Sequence, residues 1–166
     1  MIEVVTEKLN FDAAPLVLYH VRVRAEWLDA SGHMRAAQYI VLFDEAIESF
    51  LTRIGLSNAR EVGAAPFLLE MHTCYLRELR LGDEVHISVQ VLGVGEKRLH
   101  LIMFMRDSRD DVVATTELAI VNVALDSRRA QSWTRQQQDT LTALMSAHAG
   151  LPVPPQAGRA IVFANR

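Results

Sequence analysis

Apolar and polar residues alternate most cleanly over Glu84 to Val94. Val85, Ile87, Val89 and Val91 fall on one side and His86, Ser88 and Gln90 on the other, the period of a strand with one buried face. Gly93-Val94-Gly95-Glu96 predicts a hairpin turn, Arg98 to Arg106 the returning strand, Ser108 to Asp111 another turn, and Val112 to Leu125 a further strand rich in Val, Thr and Ile. Upstream, Asp12 to Pro15 reads as an opening turn and Leu16 to Trp27 as a β-rich run, while Pro66 to Leu79 is a long strand ended by Leu81-Gly82-Asp83. Between these strands the period changes. Over Arg35 to Ile54, Tyr39, Phe43, Ala46, Ile47, Phe50, Leu51 and Ile54 recur at steps of three and four, and Gly55 stops the helix they predict. Ile40, Val41 and Leu42 widen its apolar surface, as expected of a helix buried on most sides. Ser57 to Ala64 reads as a loop and Thr134 to His148 as a surface helix. The tail beyond Gly150, with Pro152, Pro154 and Pro155, predicts no core element.

Strand, long helix and four strands in hairpin order predict an α+β fold in which an antiparallel sheet curls around one helix. At 166 residues the chain fits one domain, residues 1–150, followed by the tail 151–166. No uncharged apolar run reaches the roughly 18 residues of a membrane span, and Met1 to Asp12, with Glu3, Glu7, Lys8 and Asp12, lacks the basic and apolar regions of a signal peptide. A single cysteine, Cys74, excludes an internal disulfide and fits a reducing compartment, so a cytoplasmic location is expected. A net charge of −3 argues against general nucleic-acid binding.

The chemistry concentrates in Trp27-Leu28-Asp29-Ala30-Ser31-Gly32-His33-Met34, followed by Tyr39. The run into Trp27 ends at an acidic residue, turn formers follow, and the long helix begins. This order sets the Asp29 carboxylate beside a helix N-terminus, whose unpaired N–H groups favour negative charge. A base next to an anion-holding site is the minimum equipment for hydrolysing an activated acyl group. Asp29 also suits a plain helix cap or turn residue. Gly32 suits a turn with positive φ or a close backbone approach, and His33 either braces the turn or touches substrate.

The spacing Asp-x-x-Gly-His-x-x-x-x-x-Tyr, formed by Asp29, Gly32, His33 and Tyr39, resembles the hotdog-fold acyl-CoA thioesterases of the 4-hydroxybenzoyl-CoA thioesterase-like branch, over about Leu16 to Leu125. The resemblance implies a hotdog fold and a homodimer or homotetramer whose active site is shared between chains. It also implies Asp29 as general base or nucleophile on the thioester, with backbone amides from about His33 to Ala36 holding the oxyanion. Trp27, Met34, Tyr39, Thr73 and Tyr75 become substrate-side candidates, and Lys97 and Arg98 candidates for the CoA phosphates. Glu26 to Asp29, Gly32 to Met34, Tyr75 to Leu79 and Lys97 to His100 are similar to the subgroup that hydrolyses betainyl-CoA in carnitine breakdown. A quaternary ammonium acyl group would use aromatic faces and carboxylates, with Trp27, Phe67, Tyr75, Glu45 and Glu48 available.

No metal and no redox cofactor is expected, because a thioester is already activated and CoA belongs to the substrate. The six histidines show no ligand spacing, and Gly93-Val94-Gly95 lacks the remainder of a dinucleotide fingerprint. Cys74 reads as a core thiol. Glu45 and Glu48, one helical turn apart, read first as a solvated or interface stripe. The function expected is hydrolysis of a short acyl-CoA, betainyl-CoA foremost. A non-catalytic acyl-CoA-binding hotdog protein and a hotdog hydratase or dehydratase are the alternatives.

Overall fold

The computed structural model describes residues 16–57 and 59–161, the side chains of Ala59 and Arg60 excepted. The opening turn expected at Asp12 to Pro15 lies outside the described residues. In chain order the elements are β1 (Leu16–Arg22), a single 3-10 turn (Ala25–Trp27), α1 (Ala36–Arg53), α2 (Ala59–Val62), β2 (Ala64–Tyr75), β3 (Glu84–Val94), β4 (Arg98–Asp107), β5 (Val112–Ala124) and α3 (Arg135–His148). The strands form one antiparallel sheet in the order β1-β3-β4-β5-β2, so β1 and β2, neighbours in sequence, stand at opposite edges. This is the hotdog arrangement.

The core follows the two periodicities. Val85, Ile87, Val89 and Val91 of β3 and Leu99, Leu101, Met103 and Met105 of β4 face the same cluster as Tyr39, Leu42, Phe43, Ala46, Ile47 and Phe50 of α1. Helix α1 packs on β1 and β3, and its chain turns away at Gly55, whose φ of +74° suits a residue without a Cβ.

Three expectations need correction. The strand predicted through Trp27 ends at Arg22, and Ala25–Trp27 coils into the 3-10 turn. The loop over Ser57 to Ala64 contains α2. Strand β2 stops at Tyr75, because Leu76 and Arg77 both donate their amides to Val113 O and bend the chain out of the ladder. Helix α3 is the surface helix expected, with half of its residues exposed, and it docks by one buried face. Thr134 caps it through a reciprocal box with Gln137, Leu141 and Leu144 are fully buried, and His148 Nδ1 accepts the Val91 amide at 2.9 Å. The α3 pattern is too weakly apolar to announce burial, but β1 leaves part of the β3 edge unpaired and α3 covers it.

The outer face of the sheet is also less polar and less wet than alternation predicts. Ser88, Gln90, Ile102, Phe104 and Thr115 are all buried there. Residues of the proline-containing tail line one cavity with Gln90, Phe104 and Val112. Gln90 Nε2 donates to Pro152 O, and Gly158 N donates to Glu117 Oε2. The described part of the tail, 151–161, forms no helix or strand, yet it covers part of the domain. Cys74 is only half-buried, on the edge strand β2, rather than in the core. Among the described residues no helix is long and apolar enough to cross a membrane.

Candidate active site

Between the 3-10 turn and α1 the chain makes a small hairpin. Arg35 N donates to Trp27 O, Leu28 pairs with Met34, Asp29 N donates to His33 O, and Gly32 N donates back to Asp29 O at 3.1 Å. Gly32 sits at φ +81°, a conformation that side-chain-bearing residues rarely adopt, which explains glycine at this position. The hairpin is clamped from two sides. Met34 N donates to Leu79 O, and the Arg35 guanidinium reaches back to Glu26 O at 2.6 Å and Trp27 O at 3.4 Å.

Asp29 is therefore a hairpin residue rather than a helix cap; the N-cap of α1 is Arg35, which makes no side-chain cap bond. The Asp29 carboxylate is used unequally. Oδ1 accepts from Ser31 N at 2.8 Å, Ser31 Oγ at 2.5 Å and His33 N at 3.3 Å. Oδ2 has no hydrogen-bond partner among the described residues and the side chain is exposed. The Ser31 hydroxyl, with help from the Ser31 and His33 amides, holds the carboxyl below the ordinary aspartate value, so it stays ionised at neutral pH. One oxygen orients the group and the other is left for chemistry.

The start of α1 is open in the same way. The amides of His33, Met34 and Arg35 are all committed within the chain, whereas those of Ala36 and Ala37 have no acceptor among the described residues. These two are the helix-terminal donors available to an oxyanion. Tyr75 stands beside them. Its hydroxyl donates to Ala36 O at 3.3 Å, its ring meets Tyr39 edge-on at 5.3 Å, and it is half-exposed.

The other candidates divide. His33 is half-buried, with Nδ1 3.0 Å from Ser31 Oγ and Nε2 3.1 Å from Glu78 Oε1. Thr73, on the same face of β2 as Tyr75, shares a hydrogen bond with Thr116 at 2.9 Å. Met34 and Tyr39 are buried in the core, where the Tyr39 hydroxyl donates to Arg77 O, so they support the site from behind. The structure does not bring Lys97 and Arg98 to Asp29. They lie at the β3–β4 turn, whereas the hairpin docks on Leu79 and Arg80, before β3 begins; an 11-residue strand spans about 36 Å. The rings of Trp27 and Phe67 already carry the guanidinium groups of Arg24 and Arg128, each at 5.1 Å. Glu45 accepts the Tyr19 hydroxyl, and burial together with that carboxylate pushes Tyr19 up to about 12.

Sequence reasoning misses Ser31, Arg35 and Glu78. Ser31, two residues after an aspartate, carries a local signal for a side-chain turn. Glu78 is 45 positions from His33 and carries none.

Residues 23–156 match the family described as the thioesterase-like superfamily. The chain belongs to this superfamily. It is a thioester hydrolase, and its strand order and core are those of the hotdog fold. Over 150 residues it is 34% identical to the betainyl-CoA thioesterase of Pseudomonas aeruginosa, covering 88% of this chain and 94% of that protein. A candidate thioesterase structure from Pseudomonas putida KT2440 superposes with a TM-score of 0.79 at 30% identity, covering 92% and 99% of the two chains. A Staphylococcus aureus protein solved in complex with CoA shares the fold with a TM-score of 0.85 at 24% identity, covering 90% of this chain and 97% of that one.

Proposed function

We propose that this thioesterase hydrolyses a short acyl-CoA, betainyl-CoA foremost, to the free acid and CoA. The observation that carries the reading is the divided carboxylate of Asp29, with Oδ1 held by three hydrogen bonds and Oδ2 open. Oδ2 acts on the thioester carbonyl, through a water molecule as general base or directly as nucleophile. The carbonyl oxygen takes up negative charge as the carbon becomes tetrahedral, and the Ala36 and Ala37 amides receive it. On the general-base route collapse expels the CoA thiolate, and the proton removed from water returns to it; on the nucleophilic route collapse leaves the acyl group on Asp29 as an anhydride, which water then hydrolyses to the free acid, its proton passing to the thiolate. This chemistry calls on no metal and no redox cofactor.

The acyl group is assigned by likeness to the Pseudomonas aeruginosa enzyme and by Tyr75, whose exposed ring at the start of α1 offers a face to a quaternary ammonium. Comparing kcat/KM for betainyl-CoA, a neutral acyl-CoA of similar size and palmitoyl-CoA tests this. Betainyl-CoA is expected to exceed the neutral analogue by about two- to thirtyfold, the worth of a cation over an aromatic face, with palmitoyl-CoA slowest. A clear preference for palmitoyl-CoA overturns the short-acyl assignment, whereas equal rates for the two small substrates remove only cation recognition.

The functional unit we propose is a homodimer or larger homo-oligomer. Strand β2 pairs only with β5 among the described residues, leaving its other backbone edge open, and Leu68 and Leu69 are exposed along it. Such an edge is a template for another strand, and a second copy of the same edge closes it. Sedimentation at assay concentration is expected to give an oligomer; an active monomer overturns the shared site.

A further inference from the structure

The hydrogen bonds on Asp29 continue beyond Ser31. Ser31 Oγ is 2.5 Å from Asp29 Oδ1 and 3.0 Å from His33 Nδ1, and His33 Nε2 is 3.1 Å from Glu78 Oε1. The chain thus runs from the exposed hairpin, through a half-buried ring, to a carboxylate on the connector between β2 and β3. Resting on the reading of Asp29 given above, we infer that Glu78, His33 and Ser31 form a positioning relay that holds Asp29 Oδ1 and turns Oδ2 outward.

An ionised carboxylate only accepts, so the single Ser31 hydroxyl proton goes to Asp29. His33 Nδ1 must then donate to Ser31 Oγ. Glu78 also only accepts, so Nε2 must donate to it. All three contacts are satisfied together only when both ring nitrogens carry hydrogen. A proton lost from Nδ1 invites the Ser31 hydroxyl to turn from Asp29 to the ring; one lost from Nε2 sets a lone pair against Glu78. The ring's protonation thereby decides whether Asp29 keeps its shortest hydrogen bond. The charged and titratable groups acting on this chain are Asp29 in the hairpin and Glu78 and Arg80 on the connector, with Arg80 sharing Glu78 Oε1 at 3.0 Å. Asp83 holds the Arg80 amide, and Tyr39 of α1 lies within the influence of Glu78 and Asp83. His33 accordingly acts through Asp29 and not on substrate.

The test measures kcat and KM across about pH 5 to 9, the range in which histidine changes charge, using whichever CoA thioester of the panel above the wild type hydrolyses fastest. Ser31→Ala and Glu78→Ala are each expected to lower kcat about tenfold, the equivalent of one charge-assisted hydrogen bond, with KM held within about twofold. Ser31→Thr, which restores a hydroxyl, is expected to recover the rate. The double variant should lose less than the product of the two single losses, because both cut one chain. Wild-type kcat should fall on the alkaline side, and His33→Asn should lack that limb. Wild-type kcat in Ser31→Ala and Glu78→Ala, a rise in KM alone, or an alkaline limb that survives in His33→Asn overturns the relay. If Glu78→Ala does not fold, Ser31→Ala and His33→Asn decide the matter. A slow Asp29→Asn beside fast relay variants rejects the relay alone, whereas a fast Asp29→Asn rejects the parent reading.

Discussion

Asp29→Asn is expected to lower kcat at least about 100-fold, the low end of a general-base contribution, while the melting temperature stays close to that of the wild type. The substitution isolates the charge. Asparagine keeps an oxygen at the Oδ1 position, so the bonds from Ser31 N, Ser31 Oγ and His33 N survive and the hairpin stays closed. What disappears is the basic, anionic Oδ2. The pH profile gives a second check. The Ser31 hydroxyl and the Ser31 and His33 amides lower the Asp29 carboxyl from its ordinary value of 3.8, so the acid limb of kcat/KM that belongs to Asp29 should lie below that value. The linkage has a definite sign: bonds that depress a folded-state pKa stabilise the hairpin above the ordinary value and lose that contribution as pH falls through the lowered one. Near-wild-type turnover by the asparagine variant, folded and intact, removes Asp29 from the chemistry.

Phe50→Ala is expected to cost about 3–5 kcal/mol of stability, the usual range for deleting a buried phenylalanine. Phe50 is wholly buried on α1, in one cluster with the inner residues of β3 and β4. Removing the ring leaves a cavity between the helix and the sheet. For a domain of this size that corresponds to a melting temperature lowered by roughly 6–20 °C. Asp44→Ala, at an exposed position of the same helix, is the control and should move the melting temperature by little. A Phe50→Ala variant as stable as the control contradicts the central place of α1 in the core. Helix packing matters to the site as well, because Ala36 and Ala37 present their amides from the first turn of this helix.

Strand β3 and helix α1 lie within a residue or so of where alternation and three-four spacing put them, because both patterns are imposed locally by backbone geometry. The three strands β3, β4 and β5 are joined by short turns, so their adjacency was equally legible. From Asp29, Gly32, His33 and Tyr39 came the resemblance that pointed to the hotdog thioesterases, and the chain does belong to the thioesterase-like superfamily. Where α3 docks was not legible. Its one buried face covers an unpaired stretch of β3, and that stretch exists only in the assembled sheet. For the same reason Gln90, a polar residue on a face expected to be wet, is buried and donates to a tail contributed by the far end of the chain.

The site divides along the same line. Sequence by itself determined that a carboxylate, a glycine and a helix start occur in one short segment, since those residues are neighbours in the chain. Only the tertiary structure decided that the carboxylate belongs to a hairpin rather than to the helix cap. Only the fold, too, set Tyr75 at the start of α1, carried Lys97 and Arg98 to the other end of β3, and brought Glu78 to His33. The places of Tyr75 and Glu78 depend on contacts between segments tens of residues apart. Such contacts follow from how the sheet pairs and packs, and a linear pattern of residue types does not encode them.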